Sequence, residues 1–400
     1  MNDIRPSILV GLIGAGIQAS RTPATHEREG NMAALHAREV GSTFQNCKPE
    51  LQTRTANPCV MRYEANVLTF HPAQVPRPSA LFFRRLAMLV VILLSAGGPA
   101  AAEYPEKPIR FIIPSAAGGS PDVLMRILTA ELSKRLGVAF VVINKPGANA
   151  IIGTMEIVSA APDGYTLGYG NIVSLAIVYG LMSRVPYELE NLTLIANCLR
   201  VSNMLAVNND LPVHNVRELI DYSKKHPDKL VMASGGNGTT GHLGGELFKA
   251  MTGARMLHVP YRGSPQAISD VMSGEANVTF DNLTSLTPYA RTGRVRPLGV
   301  SGTHRSPLFP DVPTIAEAGV PGYETTAWGG IVGPAKLPEE IVAKLQREIV
   351  AAVQSPTVRA RWAELDTETI AGSPAEFAAL VKRERPRWAE VIRRAGAKID

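Results

Sequence analysis

The segment YPEKPIRFIIPSAAGGSPD, residues 104–122, sets the architecture of this chain. Its β-branched run Arg110–Pro114 predicts a strand, and the apolar spacing that follows predicts a helix over Val123–Leu136. Between them, Gly118–Gly119 lets a ligand approach main-chain N–H groups, and the unpaired N–H groups of a helix start favour an anion. The segment therefore predicts a strand, a glycine-rich loop and a helix start that together cradle an anion.

Residues 84–102, directly upstream, have the pattern of an export signal. Arg84-Arg85 forms a positive flank, Leu86–Ala96 an apolar run, and Ala100-x-Ala102 a small-residue cleavage site. The apolar run is shorter than the roughly 20 residues that span a bilayer as a helix. We therefore expect cleavage after Ala102, without a permanent anchor, and a periplasmic mature protein.

The stretch before this signal, residues 1–83, lacks sustained periodicity and carries scattered proline and charge. We expect a leader that is disordered or not translated, with translation starting further along, for example at Met61. Two of the three cysteines lie in the leader, so Cys198 is the only thiol of the predicted mature chain. Cys198 can form no internal disulfide, and we expect it to be a small buried apolar side chain.

Charge does not indicate a nucleic-acid partner. The chain has 41 Lys and Arg against 35 Asp and Glu, a net charge of +6. Residues 1–102 hold 10 of the basic and 6 of the acidic residues, which leaves 31 and 29, a net of +2, for residues 103–400. This near-neutral remainder, nearly 300 residues long, is ample for two lobes.

Strand-like and helix-like segments alternate from residue 103 onward, which predicts an α/β fold with mixed, mainly parallel sheets. A strand at Met204–Val207 leaves the first lobe and Glu324–Ile331 returns to it. The predicted lobes are 103–204 with 325–400, and 205–324, with a ligand cleft between them. Other predicted elements are the strands Phe140–Ile143, Thr166–Tyr169, Lys229–Ala233 and Asn277–Phe280 and the helices Val216–His226, Thr240–Thr252, Glu339–Gln354 and Pro374–Gly396.

A second glycine-rich loop, SGGNGTTGH at residues 234–242, opens the predicted helix Thr240–Thr252. With one such loop in each lobe, a small dianion could be gripped from both sides. Neither loop ends in the Gly-Lys-Ser/Thr of a P-loop or has the G-x-G-x-x-G spacing, so nucleotide binding is disfavoured.

No pattern of catalytic residues stands out. His242 and Glu246 lie four apart on one predicted helix face, but a third ligand at helical spacing is missing, and a catalytic zinc needs three. We therefore predict no metal and assign the pair to hydrogen bonding or helix capping. No G-x-S-x-G motif is present, and no carboxylate pair stands out, although acid/base catalysis stays open as an alternative. We therefore predict no enzyme activity and no cofactor. Asp122 is predicted to be the N-cap of its helix.

With these residues in view, the chain resembles the Bug family, the extracytoplasmic receptors of tripartite tricarboxylate transporters. The similarity runs from Tyr104 to Gly396 and includes both glycine-rich loops. Its further motifs are Asn144-Lys145-Pro146-Gly147-Ala148, Ala161-Pro162-Asp163-Gly164-Tyr165-Thr166-Leu167, His258-Val259-Pro260-Tyr261-Arg262-Gly263, Phe280-Asp281-Asn282, Asp311-Val312-Pro313-Thr314, Glu317-Ala318-Gly319 and Trp328-Gly329.

The resemblance implies a type II periplasmic-binding-protein fold that closes over a small carboxylate. In such receptors backbone amides, hydroxyls and waters hold the ligand, without an obligatory arginine. Asp281 would face the cleft and hold a ligand amine, hydroxyl or water, or else be a turn carboxylate. The implied ligand-binding residues are Ser115, Ala116, Gly118 and Gly119 from the first lobe, Ser234, Asn237, Thr239 and Thr240 from the second, Asp281, and Asn171 and Ser174 at the pocket floor.

Two departures from the family pattern bear on the pocket's shape. Ala150 stands where glycine is usual, and the proline common soon after Asn171 is absent. Trp328, Tyr261 and Arg262 are assigned to the hinge or lobe packing, with Arg262 on a distal carboxylate as the alternative.

The predicted function is capture of a small carboxylate and its delivery to the integral membrane permease subunits of the transporter. The ligand would be a di- or tricarboxylate, an amino acid or an aromatic acid, and the receptor is predicted to be monomeric. Alternatives are an orphan or signalling receptor for a carboxylate and an exported enzyme on the same fold.

Overall fold

The structure is a computed structural model that describes residues 104–227 and 229–397, together with Arg84 and Met88. The predicted leader at 1–83 and the predicted signal at 84–102 lie outside the described residues, apart from Arg84 and Met88. Within the described ranges, no helix is both long and apolar enough to cross a membrane.

Helices and strands alternate along most of the described chain, as the sequence predicts. The strands are β1 (Ile109–Ile113), β2 (Phe140–Asn144), β3 (Thr166–Asn171), β4 (Leu192–Val207), β5 (Val231–Ser234), β6 (Leu257–Pro260), β7 (Val278–Asn282), β8 (Arg296–Val300), β9 (Thr326–Pro334) and β10 (Glu368–Gly372). The helices are α1 (Ser120–Leu136), α2 (Ile151–Val158), α3 (Val178–Leu181), α4 (Val216–Lys225), α5 (Thr240–Thr252), α6 (Ser264–Ser273), α7 (Leu283–Arg291), α8 (Glu339–Val353), α9 (Pro356–Ala363) and α10 (Pro374–Ala395). A π-helical turn, Val173–Ile177, precedes α3, and a 3₁₀ turn, Leu189–Asn191, precedes β4.

The first helix begins three residues earlier than predicted. Gly119 is its N-cap and Pro121 lies in its first turn, where the missing N–H costs no hydrogen bond. Gly137, at φ 72°, ends the helix in the left-handed conformation that a glycine adopts without strain. The earlier start places Asp122 inside the first turn, so the prediction that Asp122 is the N-cap is wrong.

The strands form one mixed sheet in the order β2-β1-β3-β9-β4-β7-β5-β6, with β8 and β10 also paired to β4. The pairs β1–β2, β1–β3, β5–β6 and β5–β7 are parallel. Every described pair of β4, and the pair β3–β9, is antiparallel. The α/β fold is confirmed, with a larger antiparallel share than the predicted mainly parallel sheets. The reason is that two long strands, β4 and β9, run antiparallel through its centre.

The long strand β4 joins the two halves of the sheet. Its residues Leu192–Ser202 pair with β9, and Asn203–Val207 pair with β7 and β8. One hydrophobic cluster includes Phe111 and Trp328, and a second includes Phe280. Because the pairing partner of β4 changes at Asn203, we propose the predicted lobes, 103–204 with 325–400 and 205–324, as the two moving parts.

Cys198 is fully buried in β4, as predicted for a small apolar side chain. Burial raises the pKa of its thiol to about 12. The thiol is therefore protonated at neutral pH and is unreactive.

Candidate functional site

A cavity of about 310 Å³ lies where the carboxyl ends of β1, β3, β5 and β7 meet. The carboxyl ends of parallel strands share one edge of a sheet, which is a common position for ligand sites in α/β folds. Its volume is at the lower end of the roughly 300–1,000 Å³ typical of small-molecule pockets. Of the predicted site residues, eight line it: Ser115, Ala116, Gly119, Asn171, Asn237, Thr239, Thr240 and Asp281.

The first glycine-rich loop enters the cavity between β1 and α1. Ser115 donates its backbone N–H to Ile113 O at 2.8 Å, which turns the chain sharply after the strand. The Ser115 hydroxyl oxygen is buried and has no hydrogen-bond partner in the described part of the chain. Buried polar atoms are rarely unpaired, so this hydroxyl is a candidate ligand contact.

Gly118 does not line the cavity, although it belongs to the predicted set. Its N–H donates to Asp122 Oδ2 at 2.9 Å, so this amide is not free for a ligand. Asp122 also accepts hydrogen bonds from Arg126 Nε and Asn144 Nδ2, both at 2.9 Å. Burial alone would raise the pKa of Asp122, but these hydrogen bonds outweigh it and hold the pKa below its usual value. Asp122 therefore shapes the loop as a buried carboxylate.

The second glycine-rich loop enters the cavity between β5 and α5. Thr239 is the N-cap of α5: its Oγ1 accepts the His242 N–H at 3.2 Å and donates to Gly236 O at 2.8 Å. The N–H groups of Thr240 and Gly241, in the first turn, have no carbonyl partner inside the helix. Both residues line the cavity, so an anion there would meet the positive end of α5.

Two more predicted residues, Ser234 and Ser174, do not line the cavity. Ser234 is buried and its Oγ lies 2.7 Å from His258 Nε2. Ser174 Oγ donates to Asn171 O at 3.2 Å and accepts the Asn171 N–H at 3.1 Å. Both hydroxyls hold neighbouring backbone in place, and their predicted contact with a ligand stays a prediction.

Asp281 is a buried carboxylate in the cavity wall, at the end of β7. Its Oδ1 accepts the Asn282 N–H at 2.8 Å. Burial raises the pKa of Asp281 to about 6, against a smaller opposing effect of the neighbouring Ser264, Asn282 and Ser285. Among the described residues, Asp281 and the exposed Arg262 are the charged side chains of the lining.

A third segment, Pro146–Ala150, also lines the cavity, and sequence reasoning did not place it in the site. Ala148, Asn149 and Ala150 all have positive φ, at 44°, 52° and 69°. Non-glycine residues in this region are strained by roughly 1–2 kcal/mol each. The motif Asn144–Ala148 and the unusual Ala150 were the signals that could have pointed to it.

The loops of the two halves meet beside the cavity. A Cβ built on Gly263 would lie 2.7 Å from the Cβ of Ala116, and one built on Gly238 would lie 3.2 Å from Asn149 Oδ1. Glycine at these two positions therefore allows the loops to approach each other. Tyr261 donates its hydroxyl to Asp270 Oδ2 at 2.7 Å, and it also lines the cavity, as do Trp328 and Arg262.

Three side chains that could ligate a metal ion lie close together beside the second loop. His242, Glu246 and His258 place ligand atoms within 4.8 Å of one another. The third group, His258, comes from β6 and was invisible to helical spacing. Glu246 forms an ion pair with Lys249 at 2.8 Å.

A larger cavity, of about 560 Å³, is also lined by residues of β4 and β9 and shares Val201 and Trp328 with the first. Its charged groups are largely paired with each other: Arg387 lies 3.1 Å from Glu324 and 3.4 Å from Glu384, and Arg200 lies 3.7 Å from Glu368. Because its cations are already neutralised, it offers less to a free anion than the smaller cavity.

The chain is similar to proteins of one known family. Residues 124–397 match the family described as "Tripartite tricarboxylate transporter family receptor". Protein BugT of Bordetella pertussis is 34% identical over 321 residues, which are 79% of this chain and 98% of BugT. Two solved structures each cover 74% of this chain and are covered completely: R. palustris Rpa4515 with adipate (35% identity, TM-score 0.72) and the periplasmic binding protein BugD (32%, 0.71).

The matched family is one of receptors and BugD is a periplasmic binding protein, and the two-lobed periplasmic-binding-protein fold predicted from the sequence is confirmed by the solved structures. The match to the family spans more than half of the chain, and BugT is similar over nearly its whole length. The chain therefore belongs to the Bug family, the receptors of tripartite tricarboxylate transporters.

Proposed function

We propose that this protein is a periplasmic receptor that captures a small dicarboxylate in the 310 Å³ cavity. It would then deliver the ligand to the membrane permease subunits of a tripartite tricarboxylate transporter. The observation that carries the proposal is the convergence of two helix starts, α1 and α5, from opposite halves of the sheet on one cavity. Each start offers unpaired N–H groups to an anion.

Neutral donors dominate the lining, which suits capture and release. Backbone N–H groups at two helix starts and the unpartnered hydroxyl of Ser115 can hold carboxylates without a buried ion pair. A diacid spanning the cavity would contact both halves and so favour their closed arrangement. Adipate, the diacid named with Rpa4515, is the first ligand to test.

The test is ligand binding to the purified protein. Native mass spectrometry would identify a ligand retained from the cell, and calorimetry with adipate and other di- and tricarboxylates, amino acids and aromatic acids would rank affinities. At a concentration of 100 times Kd, the ligand should stabilise the fold by about 2.7 kcal/mol. Recovery of the acid unchanged supports a receptor, turnover supports an enzyme, and the absence of binding by any acid contradicts the proposal.

Periplasmic location, a permease partner and a monomeric state belong to the same proposal. Sequencing the amino terminus of the exported protein should show Glu103 as the first residue. Light scattering should give the mass of one mature chain. A terminus near Met1 would contradict processing at the predicted site.

A further inference from the structure

Two stacked histidines lie directly behind the second binding loop. His242 is on α5 and His258 on β6, and their ring centroids are 4.1 Å apart with an interplanar angle of 17°. His242 is buried and His258 is half-buried. Neither ring lines the 310 Å³ cavity, so neither is placed to touch the ligand.

Each ring contacts one end of the loop through one nitrogen. The Gly238 N–H donates to His242 Nδ1 at 3.0 Å. At the other end, Ser234 Oγ lies 2.7 Å from His258 Nε2. Between these two anchor points lie Gly235, Gly236 and Asn237, which line the cavity.

The contact to Gly238 requires a neutral His242 ring. An N–H can donate only to a nitrogen with a free lone pair, so Nδ1 carries no proton and Nε2 carries it. Burial lowers the pKa of both rings to about 4, and Lys249 adds to this effect. Two charged groups face the pair, Lys249 and Glu246, both from α5, and they form an ion pair with each other.

We infer that His242 and His258 are positioning residues that hold loop 234–239 in the shape that presents Asn237, Thr239 and Thr240 to the ligand. The inference rests on the proposed carboxylate function and adds two residues to its machinery that touch no ligand. Its physical basis is the high conformational freedom of the segment Ser234–Gly238, which contains three glycines. The contacts at its two ends remove this freedom before the ligand binds.

The same cluster could instead bind a transition metal through His242, Glu246 and His258, since two imidazoles and a carboxylate suit Zn²⁺. A metal on Nδ1 of His242 would displace the Gly238 N–H. A metal on Nε2 would move the ring proton to Nδ1, which also breaks that hydrogen bond. The observed contact therefore favours the positioning role, and metal binding is an outcome of the test.

The first experiment needs no ligand. Hydrogen exchange of the loop amides is compared in the wild type, His242→Leu, His242→Asn, His258→Leu and His258→Gln. Asn Oδ1 and the Gln side-chain amide can replace the ring nitrogens, whereas Leu cannot. We expect exchange to rise at least tenfold at Gly238 in His242→Leu and at Gly236, whose N–H donates to Ser234 Oγ at 3.2 Å, in His258→Leu. The rise should be less than threefold at the same amides in the Asn and Gln variants. Nitrogen NMR of the wild type should show an unprotonated Nδ1 on His242.

The second experiment measures adipate affinity in the same proteins. We expect at least a tenfold loss in His242→Leu and His258→Leu and less than a threefold loss in the Asn and Gln variants. The exposed His214→Gln should leave affinity unchanged.

The inference is overturned if the Leu variants show the same adipate affinity and the same loop exchange as the wild type. It is also overturned by Zn²⁺ binding that the Leu variants abolish, together with a loss of wild-type adipate affinity in EDTA. If the wild type binds no carboxylate, the proposed function fails, while the exchange and NMR results still decide whether the histidines hold the loop.

Discussion

At the residue scale, Ala150 is the clearest case of a side chain in conflict with its backbone. It is buried, lines the cavity and has φ 69°, a conformation that favours glycine. The resemblance to the family implies glycine at this position, and the positive φ is a physical reason for such a preference.

Ala150→Gly should raise the free energy of unfolding by about 1 kcal/mol, because it removes the left-handed strain at the cost of a more flexible unfolded chain. Urea unfolding of the ligand-free protein checks this value. Ala130→Gly, on the exposed face of α1, is the matched control and should lower it by about 1 kcal/mol. A loss of stability in Ala150→Gly would contradict the strain argument.

Asp281 should make stability fall as pH rises from about 4 to 6. Its pKa is raised to about 6 by burial, so over this range the folded state holds a proton that the unfolded state has lost. Asp281→Asn removes the effect and should stabilise the protein by roughly 3 kcal/mol at pH 7.5 but little at pH 4. Urea unfolding at the two pH values measures this, with the exposed Asp210→Asn as control. Equal effects at both pH values would contradict the assigned cause.

At the element scale, the start of α5 combines a structural and a binding role. Thr239 caps the helix and also donates to Gly236 O, so one hydroxyl orders both the helix and the loop. Gly241, the second residue of the helix, packs so closely on β7 that an added Cβ would collide with Phe280 O. The helix start is therefore fixed against the strand that carries Asp281.

Thr239→Ala should lower the free energy of unfolding by about 1 kcal/mol through loss of the cap. It should also weaken adipate binding at least fivefold, since loop and helix start lose a shared hydrogen bond. Thr239→Ser should restore both. Ser355→Ala removes the N-cap of α9, which is remote from the cavity lining, and should lower stability without changing affinity. If Thr239→Ala and Ser355→Ala weaken adipate binding to the same extent, Thr239 acts on binding through stability alone.

At the scale of the whole molecule, the structure brings loops of the two halves into contact beside the cavity. The pair Ala116 and Gly263 leaves no room for a second methyl group. A ligand that contacts both halves stabilises this arrangement by as much as its affinity differs between the closed and open forms. Steric bulk at the contact should therefore affect binding more than folding.

Gly263→Ala should weaken adipate binding at least fivefold while leaving the unfolding free energy of the ligand-free protein within about 0.5 kcal/mol. Ala116→Gly is the compensating change, and the double variant should recover most of the affinity. Calorimetry on the four proteins completes a double-mutant cycle. A double variant no better than Gly263→Ala would show that the two residues do not meet in the bound state.

Local patterns were enough to predict the elements and the family. Helix α5 was predicted at the observed bounds, Thr240–Thr252, because a cap residue, helical spacing of apolar residues and a closing glycine all lie within 15 residues. The strands β1 and β2 were predicted to within one residue of each end, because short runs of β-branched residues mark them in the sequence. Both glycine-rich loops were likewise visible as sequence, and most of their predicted site residues line one cavity.

Contacts between distant segments could not be obtained this way. Three of these contacts depend on how the strands are ordered in the sheet. They are the stacking of His258 on His242, the hydrogen bond from the Gly238 N–H to a ring nitrogen, and the position of Pro146–Ala150 in the cavity wall. The same holds for the loss of the Gly118 amide to Asp122, since the start of α1 depends on the loop's own hydrogen bonds. Periodicity and capping act over a few residues and are written in the chain, whereas these contacts arise only when packing brings separate segments together.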